Sequence, residues 1–290
     1  YCFRRRNCLT FDKVTTFSPI HHLHQRASMG IITLISDYGL RDNTVARLKI
    51  RLMRRIEEAR LLDISHLVEP HNILEAAHML RGVYRDFPKG TIHCVMIGTS
   101  PMEGGEYICL KACGQFFLGT NNGLLTSVLK NEKITGARML DIRGIDPNDE
   151  KELFAAAASH LFSGGKIEML GPAITSVKKV KEPAAGIGDF AISGNVVYID
   201  RMGTCVTNIS RESFQNQLKG RTFSVELARN RNMKKIYDRI ADVPQGKLAA
   251  LWNEEGMLSI AVGKSGGEHI RGSNELIGMK IHDWVRIDFV

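Results

Sequence analysis

Residues 31–57 read IITLISDYGLRDNTVARLKIRLMRRIE, and this stretch decides the fold. IITLIS (31–36) is a short apolar run of the kind that forms a strand covered on both faces, and the polar DYG turn stops it. Beyond the turn, Val45, Leu48, Leu52 and Ile56 recur at steps of three and four, which puts them on one stripe of an amphipathic helix. Arg47, Arg51, Arg54 and Arg55 lie mainly off that stripe and are expected to form a solvated face, not a phosphate-binding patch.

The same alternation continues on either side. LLDI (61–64) begins a second strand, NILEAAHMLRGVYRDF (72–87) reads as a second helix ended by Phe87-Pro88-Lys89-Gly90, and TIHCVMI (91–97) is a third strand. Strands separated by helices pair in parallel through right-handed crossovers, and such sheets bind ligands at the carboxyl ends of their strands. YICLKACGQFFLG (107–119) reads as a hairpin turning at Gly114, NNGLLTSVL (121–129) as a turn into a helix, and ELFAAAASHLFSGG (152–165) as a helix closed by two glycines. KKVKEPAAGIGD (178–189) has the charge and the Pro and Gly content of a linker. After it come short strands, among them FAISGNVVYID (190–200), VTNIS (206–210), MLSIAVG (257–263) and WVRIDFV (284–290), which suit a small antiparallel barrel or sandwich. The expected fold class is therefore α/β, with a mostly parallel N-terminal sheet over 29–172, a linker over 173–189 and a smaller antiparallel β domain over 190–290.

The 290 residues are 43% apolar, enough for a sizeable core, and no run of eighteen apolar residues occurs, so no helical membrane span is expected. Residues 1–28 differ from the rest. They hold Arg4, Arg5, Arg6, Lys13 and Arg26 against the single acid Asp12, a net +4 of the formal +8. This segment is read as a disordered leader or non-native extension, since Met29-Gly30 directly precedes the first strand. With half of the basic excess in the leader, nucleic acid is not the expected partner. The six cysteines form no CxxC pair, which points to reduced thiols and a cytoplasmic setting. No metal-ligand spacing, P-loop or GxGxxG is present, so no metal is expected and kinase, NTPase and dehydrogenase readings lose their main support.

Several segments, taken in order, resemble one family. ITLISDYGLRD is similar to its opening strand and Thr-Asp-Phe-Gly turn, DISHLVEPHNILEAAHML to its second strand and helix, and FPKGTIH to the start of its third strand. GTNNGLLTSVL, FAAAASHLFSGGKIEMLGP, YIDRMGTCVTNI and ADVPQGKLAALWNEEGMLSIAV continue the likeness to the end of the chain. The family is that of the S-adenosyl-L-methionine hydroxide adenosyltransferases, or SAM hydrolases, and the fluorinases and chlorinases. The resemblance implies a Rossmann-like N-terminal domain, a C-terminal β-barrel, and a homotrimer with S-adenosyl-L-methionine held between neighbouring subunits. It implies nucleophilic substitution at the ribose 5′ carbon, with no cofactor beyond S-adenosyl-L-methionine as substrate or ligand.

By the same resemblance, Asp37 matches the carboxylate that grips the ribose hydroxyls, with helix capping as its ordinary alternative. Asp42 and Thr44 match positions near the amino-acid end of the ligand, and Asp200 the aspartate given to its ammonium group. Asp42 could equally cap the helix, and Asp200 could pair with Arg201. His71 falls where the family places an aromatic lid, and Thr99, with Ser100, offers hydroxyl donors to a water or small anion. The family's water-handling residues are replaced. Gly98 stands at its aspartate, Gly104-Gly105 near its arginines and Asp149 near its histidine, while Thr204 and Gly263 stand where it has asparagines. The catalytic residues are thus unknown. The expected ligand is S-adenosyl-L-methionine or adenosine. The alternatives to an enzyme are a catalytically silent binding or sensing protein and, behind it, a basic nucleic-acid module.

Overall fold

The computed structural model describes residues 30–98, 106–174, 176–228, 231–263 and 272–290. The leader and Thr99 lie outside the described residues. The N-terminal half runs β1 (Ile31–Ser36), α1 (Thr44–Arg55), β2 (Arg60–Ser65), α2 (Ile73–Val83), β3 (Ile92–Met96), β4 (Tyr107–Ala112), β5 (Gln115–Thr120), α3 (Leu124–Val128), β6 (Ile134–Met139) and α4 (Glu150–Phe162). Its sheet has the order β2-β1-β3-β5-β4-β6, in which the first four strands are parallel and β4 is antiparallel to both its neighbours. The chain belongs to the α/β class, with a mostly parallel sheet between two helical layers.

The side-chain alternation of β1 shows why its sequence is apolar at almost every position. Ile32 and Leu34 face the layer of α1 and α4 together with Leu48, Leu52 and Phe154, whereas Ile35 faces the layer of α2 and α3 with Leu80 and Phe117. The arginine face of α1 is not simply solvated, as the sequence suggested. Arg51 pairs with Asp149 and Arg55 with Glu152 across to α4. These pairs are partly exposed, so they contribute at most about 1 kcal/mol each and chiefly fix how the two helices lie.

The C-terminal half is one nearly closed, barrel-like antiparallel sheet. It contains β7 (Gly186–Ile187), β8 (Ala191–Ile199), β9 (Cys205–Ser210), β10 (Phe223–Leu227), β11 (Arg231–Met233), β12 (Ile236–Tyr237), β13 (Leu248–Trp252), β14 (Met257–Val262) and β15 (Trp284–Phe289). The order is β11-β10-β15-β8-β9-β14-β13-β12, with β7 added beside β8 and the short β12 parallel to β13. Two helices interrupt the strands, α5 (Arg211–Leu218) and α6 (Ser273–Ile277). α5 has almost no apolar period to announce it. Ser210 caps it by accepting from Ser213 N at 3.1 Å, and its one buried side chain, Phe214, packs on Phe223, Trp252 and Phe289.

The two halves meet along α2. The His78 ring lies 4.8 Å from that of Tyr198, and Arg81 Nη2 reaches Glu182 Oε1 at 2.5 Å while also donating to Ser127. No described helix is long and apolar enough to cross a membrane.

A buried and a partly buried histidine make stability depend on pH. His93 is held by Thr33 and Gln115 and stacked on Phe117, and burial pushes it down to about 4; burial and the Arg81 charge push His78 to about 4 as well. An unfolded histidine titrates near ~6.5, so between that pH and 4 the unfolded chain binds protons that the folded chain refuses. Their contribution is complete above the unfolded value and is lost as the pH falls towards the folded one. Urea unfolding should show stability falling by about 2 kcal/mol per histidine between pH 7 and pH 5, with a smaller drop in His93→Gln.

Candidate functional site

The parallel strands β1 and β3 point their carboxyl ends to the same side, and Asp37 stands at that edge. Its backbone N–H donates to Met96 O at 3.3 Å, which prolongs the β1–β3 pairing by one step. Its side chain does more. Oδ2 accepts from His71 N at 2.9 Å and from Gly98 N at 3.0 Å, so one carboxylate oxygen joins the tips of β1 and β3 to the start of α2. Both donors sit in left-handed backbone, His71 at φ 61° and Gly98 at φ 62°. The second oxygen, Oδ1, has no hydrogen bond among the described residues, and the residue is half-buried.

Gly98 is needed where it stands. A Cβ there would lie 3.4 Å from His71 Nδ1 and 3.7 Å from Asn122 Nδ2, and the positive φ disfavours any side chain. Asn122 completes the edge, donating to Ile97 O at 3.1 Å and accepting from Leu124 N at 3.1 Å. Asp37, His71, Gly98 and Asn122 thus surround one spot. Sequence reading missed Asn122, although the NNG turn before α3 is the signal that places it.

Other expected site residues are found apart from this cluster. Asp42 is exposed and accepts from Thr44 N at 2.8 Å, an Asx turn leading into α1; that bond, with Thr44 hydroxyl and nearby Arg47 and Lys151, holds its carboxyl below the usual range. Thr44 is the first residue of α1. Asp200 lies in the β8–β9 turn, where Oδ1 accepts from Thr204 N at 2.8 Å; its backbone N–H donates to Thr204 O at 3.1 Å. No bond within the chain joins Asp200 to the Asp37 cluster among the described residues.

Two side-chain groups behind the edge were not anticipated. Ser36 Oγ lies 2.6 Å from His66 Nδ1, and His66 Nε2 lies 3.2 Å from Asp63 Oδ1 but outside hydrogen-bonding direction. The order Ser, His, Asp suggests a nucleophile, yet Ser36 is 0% exposed, so no substrate reaches it and the group is a strap between β1 and β2. The second group centres on Glu150, the first residue of α4. It is 5% exposed and accepts from Tyr38 Oη at 2.5 Å, Lys151 Nζ at 3.0 Å and Tyr107 Oη at 3.3 Å. Burial and this carboxylate raise the Tyr107 phenol. A tyrosine in the turn after Asp37, where the resembled family has phenylalanine, is the sequence signal for it.

Positions at which the resemblance implied altered residues can now be placed. Asp149 caps α4 by accepting from Glu152 N at 3.3 Å and pairs with Arg51, so it is committed to structure. At Gly263 a Cβ would stand 2.3 Å from Pro244 O, and the packing leaves no room for an asparagine. Gly104-Gly105 lie outside the described residues.

A mostly parallel α/β sheet with a carboxylate fixed at its carboxyl edge, followed by a barrel-like β sheet, is a two-part architecture of the Rossmann-like type, and in such sheets ligands bind at the carboxyl ends of the strands. Family models for the SAM hydroxide adenosyltransferase N-terminal and C-terminal domains match residues 32–171 and 194–286. The chain belongs to the SAM hydroxide adenosyltransferase family. It is 25% identical over 260 residues to the (R)-S-adenosyl-L-methionine hydrolase of Thermus thermophilus, covering 84% of this chain and 96% of that protein. With the fluorinase of Actinopolyspora mzabensis it shares 27% identity over 224 residues, 65% of this chain and 74% of the relative. The crystal structure of an uncharacterized conserved protein from Thermotoga maritima superposes with a TM-score of 0.78 at 25% identity, over 89% of this chain and 99% of that one.

Tyr38→Phe removes the shortest donor to a buried carboxylate and should cost roughly 1.5–3 kcal/mol in urea unfolding, the range for hydrogen bonds to charged groups. Tyr107→Phe, whose bond is longer, should cost less.

Proposed function

We propose that the chain binds S-adenosyl-L-methionine with its ribose diol on Asp37 and supports nucleophilic substitution at the ribose 5′ carbon. The observation that carries this reading is the divided carboxylate of Asp37, one oxygen fixed by two backbone donors and the other open at the edge. An acceptor held in this way loses little freedom when a ligand arrives. In the reaction the oxygen of water attacks C5′, the C5′–S bond breaks, and its electron pair passes to sulfur. The products are adenosine, methionine as a neutral thioether, and a proton released to solvent; a halide in place of water gives a 5′-halogenated adenosine.

The remaining roles follow the family resemblance. Asp42 and Thr44 would lie towards the methionine end, His71 over the ligand, and Thr99 beside the nucleophile. Asp200 of a neighbouring copy would meet the ammonium, since among the described residues no hydrogen bond within one chain joins it to Asp37. Exposed Leu40 and Leu67, 64% and 62% accessible, support a subunit contact that covers them, and the resemblance makes the assembly a homotrimer. The four described cysteines are unpaired, which supports a cytoplasmic setting.

A second reading, a silent binder of S-adenosyl-L-methionine or adenosine, is favoured by Gly98 and Asp149. The first supplies only a backbone N–H, and the second is occupied by Arg51 and the α4 cap. Calorimetry decides the binding claim. Dissociation constants on the order of micromolar are expected for S-adenosyl-L-methionine, weakened about 10- to 100-fold by Asp37→Asn, as the loss of one charge-assisted bond implies. Unchanged affinity in that variant would remove the site. Incubation with labelled S-adenosyl-L-methionine, with and without chloride, should give labelled products on chromatography; intact ligand bound without turnover selects the second reading. Light scattering should give three times the chain mass.

A further inference from the structure

A cavity lies at the opposite end of the N-terminal sheet from Asp37. It measures about 540 Å³, within the span of small-molecule sites, and opens at the amino ends of the strands, between the start of β1, the β4–β5 turn and the end of α4. Lys89, Lys111 and Lys166 line it, opposed by the single acid Glu168. The lysine ion pairs among the described residues involve Lys49, Lys130 and Lys151, all elsewhere, so these three lysines line the cavity without an ion-paired acid. Cations without acidic partners around a concave space focus a positive field into it.

The walls add a second requirement. Phe116 and Phe162 both line the cavity, and the Lys111 ammonium lies 5.4 Å from the Phe116 ring centre. Gly30 also lines it, and a Cβ there would clash with the Phe162 ring, so the bare backbone lets the ring lie against the start of β1. The space therefore offers aromatic surface next to positive charge. Di- and triphosphates carry enough negative charge to hold several lysines at once, and a nucleoside supplies a flat ring for the phenylalanines.

We propose that this cavity is a second binding site, separate from the Asp37 edge, for a small molecule bearing a di- or triphosphate, with a nucleotide as its source. The cations set affinity and the two rings set preference for a base-bearing ligand.

Calorimetry on the full chain with ADP, pyrophosphate and adenosine tests it. ADP should bind in low salt and weaken as salt rises. The double variant Lys89→Gln/Lys111→Gln should bind ADP at least about tenfold more weakly while keeping its melting temperature and its affinity for S-adenosyl-L-methionine. ADP binding more tightly than pyrophosphate supports the nucleotide, and equal affinities support the anion site with an inorganic polyphosphate as its source. Absence of heat with both phosphates overturns the proposal, as does ADP affinity unchanged by the lysine substitutions. ADP binding abolished by Asp37→Asn but kept in the lysine variant also overturns it, since the nucleotide would then occupy the ribose site.

Discussion

One carboxylate oxygen holds the carboxyl edge of the N-terminal sheet together. Strand ends in a parallel sheet leave backbone N–H and C=O groups without ladder partners, and these need other partners. Asp37 Oδ2 accepts from one of them, Gly98 N after β3, and from His71 N just ahead of α2, and so draws three segments to one point. The two donors are aimed by left-handed backbone at φ near 60°, which costs roughly 1 kcal/mol or more at a histidine and little at a glycine. The edge is therefore a small strained arch with Asp37 as its keystone.

Around that arch the protein invests buried polarity where simpler packing would serve. The Ser36–His66 bond straps the end of β1 to the loop after β2, and Glu150 gathers two phenols and an ammonium beneath the turn. Each is nearly closed to solvent, so each acts by holding backbone in place. The Glu150 carboxylate, with three donors, favours a single arrangement of the turn over alternatives, whereas the His66 ring is bonded on one nitrogen only.

Much of the architecture was legible in the sequence because the apolar patterns of β1, α1 and β3 follow strand and helix periods closely. α5 was not, since it rests on a serine cap and on Phe214 finding three aromatic partners from distant strands. The arginines of α1 were read as solvated because their acids, Asp149 and Glu152, lie nearly a hundred positions away. In the site, the type and place of Asp37 could be read from SDYG, but its division into a fixed and an open oxygen could not. That depends on the backbone conformations of His71 and Gly98. The Ser36, His66 and Asp63 group shows the opposite hazard, in which residue types suggest chemistry that burial rules out.

The joint between the halves carries one more consequence. Arg81 of α2 grips Glu182 of the connecting segment and Ser127 of α3, and β7 adds the end of that segment to the barrel sheet. The connection is thus clamped at both ends and leaves little freedom for the barrel to swing over its own Asp37. If another subunit's barrel covers that edge, ligand capture and subunit association share one equilibrium: ligand would strengthen the oligomer, and dilution would loosen the ligand.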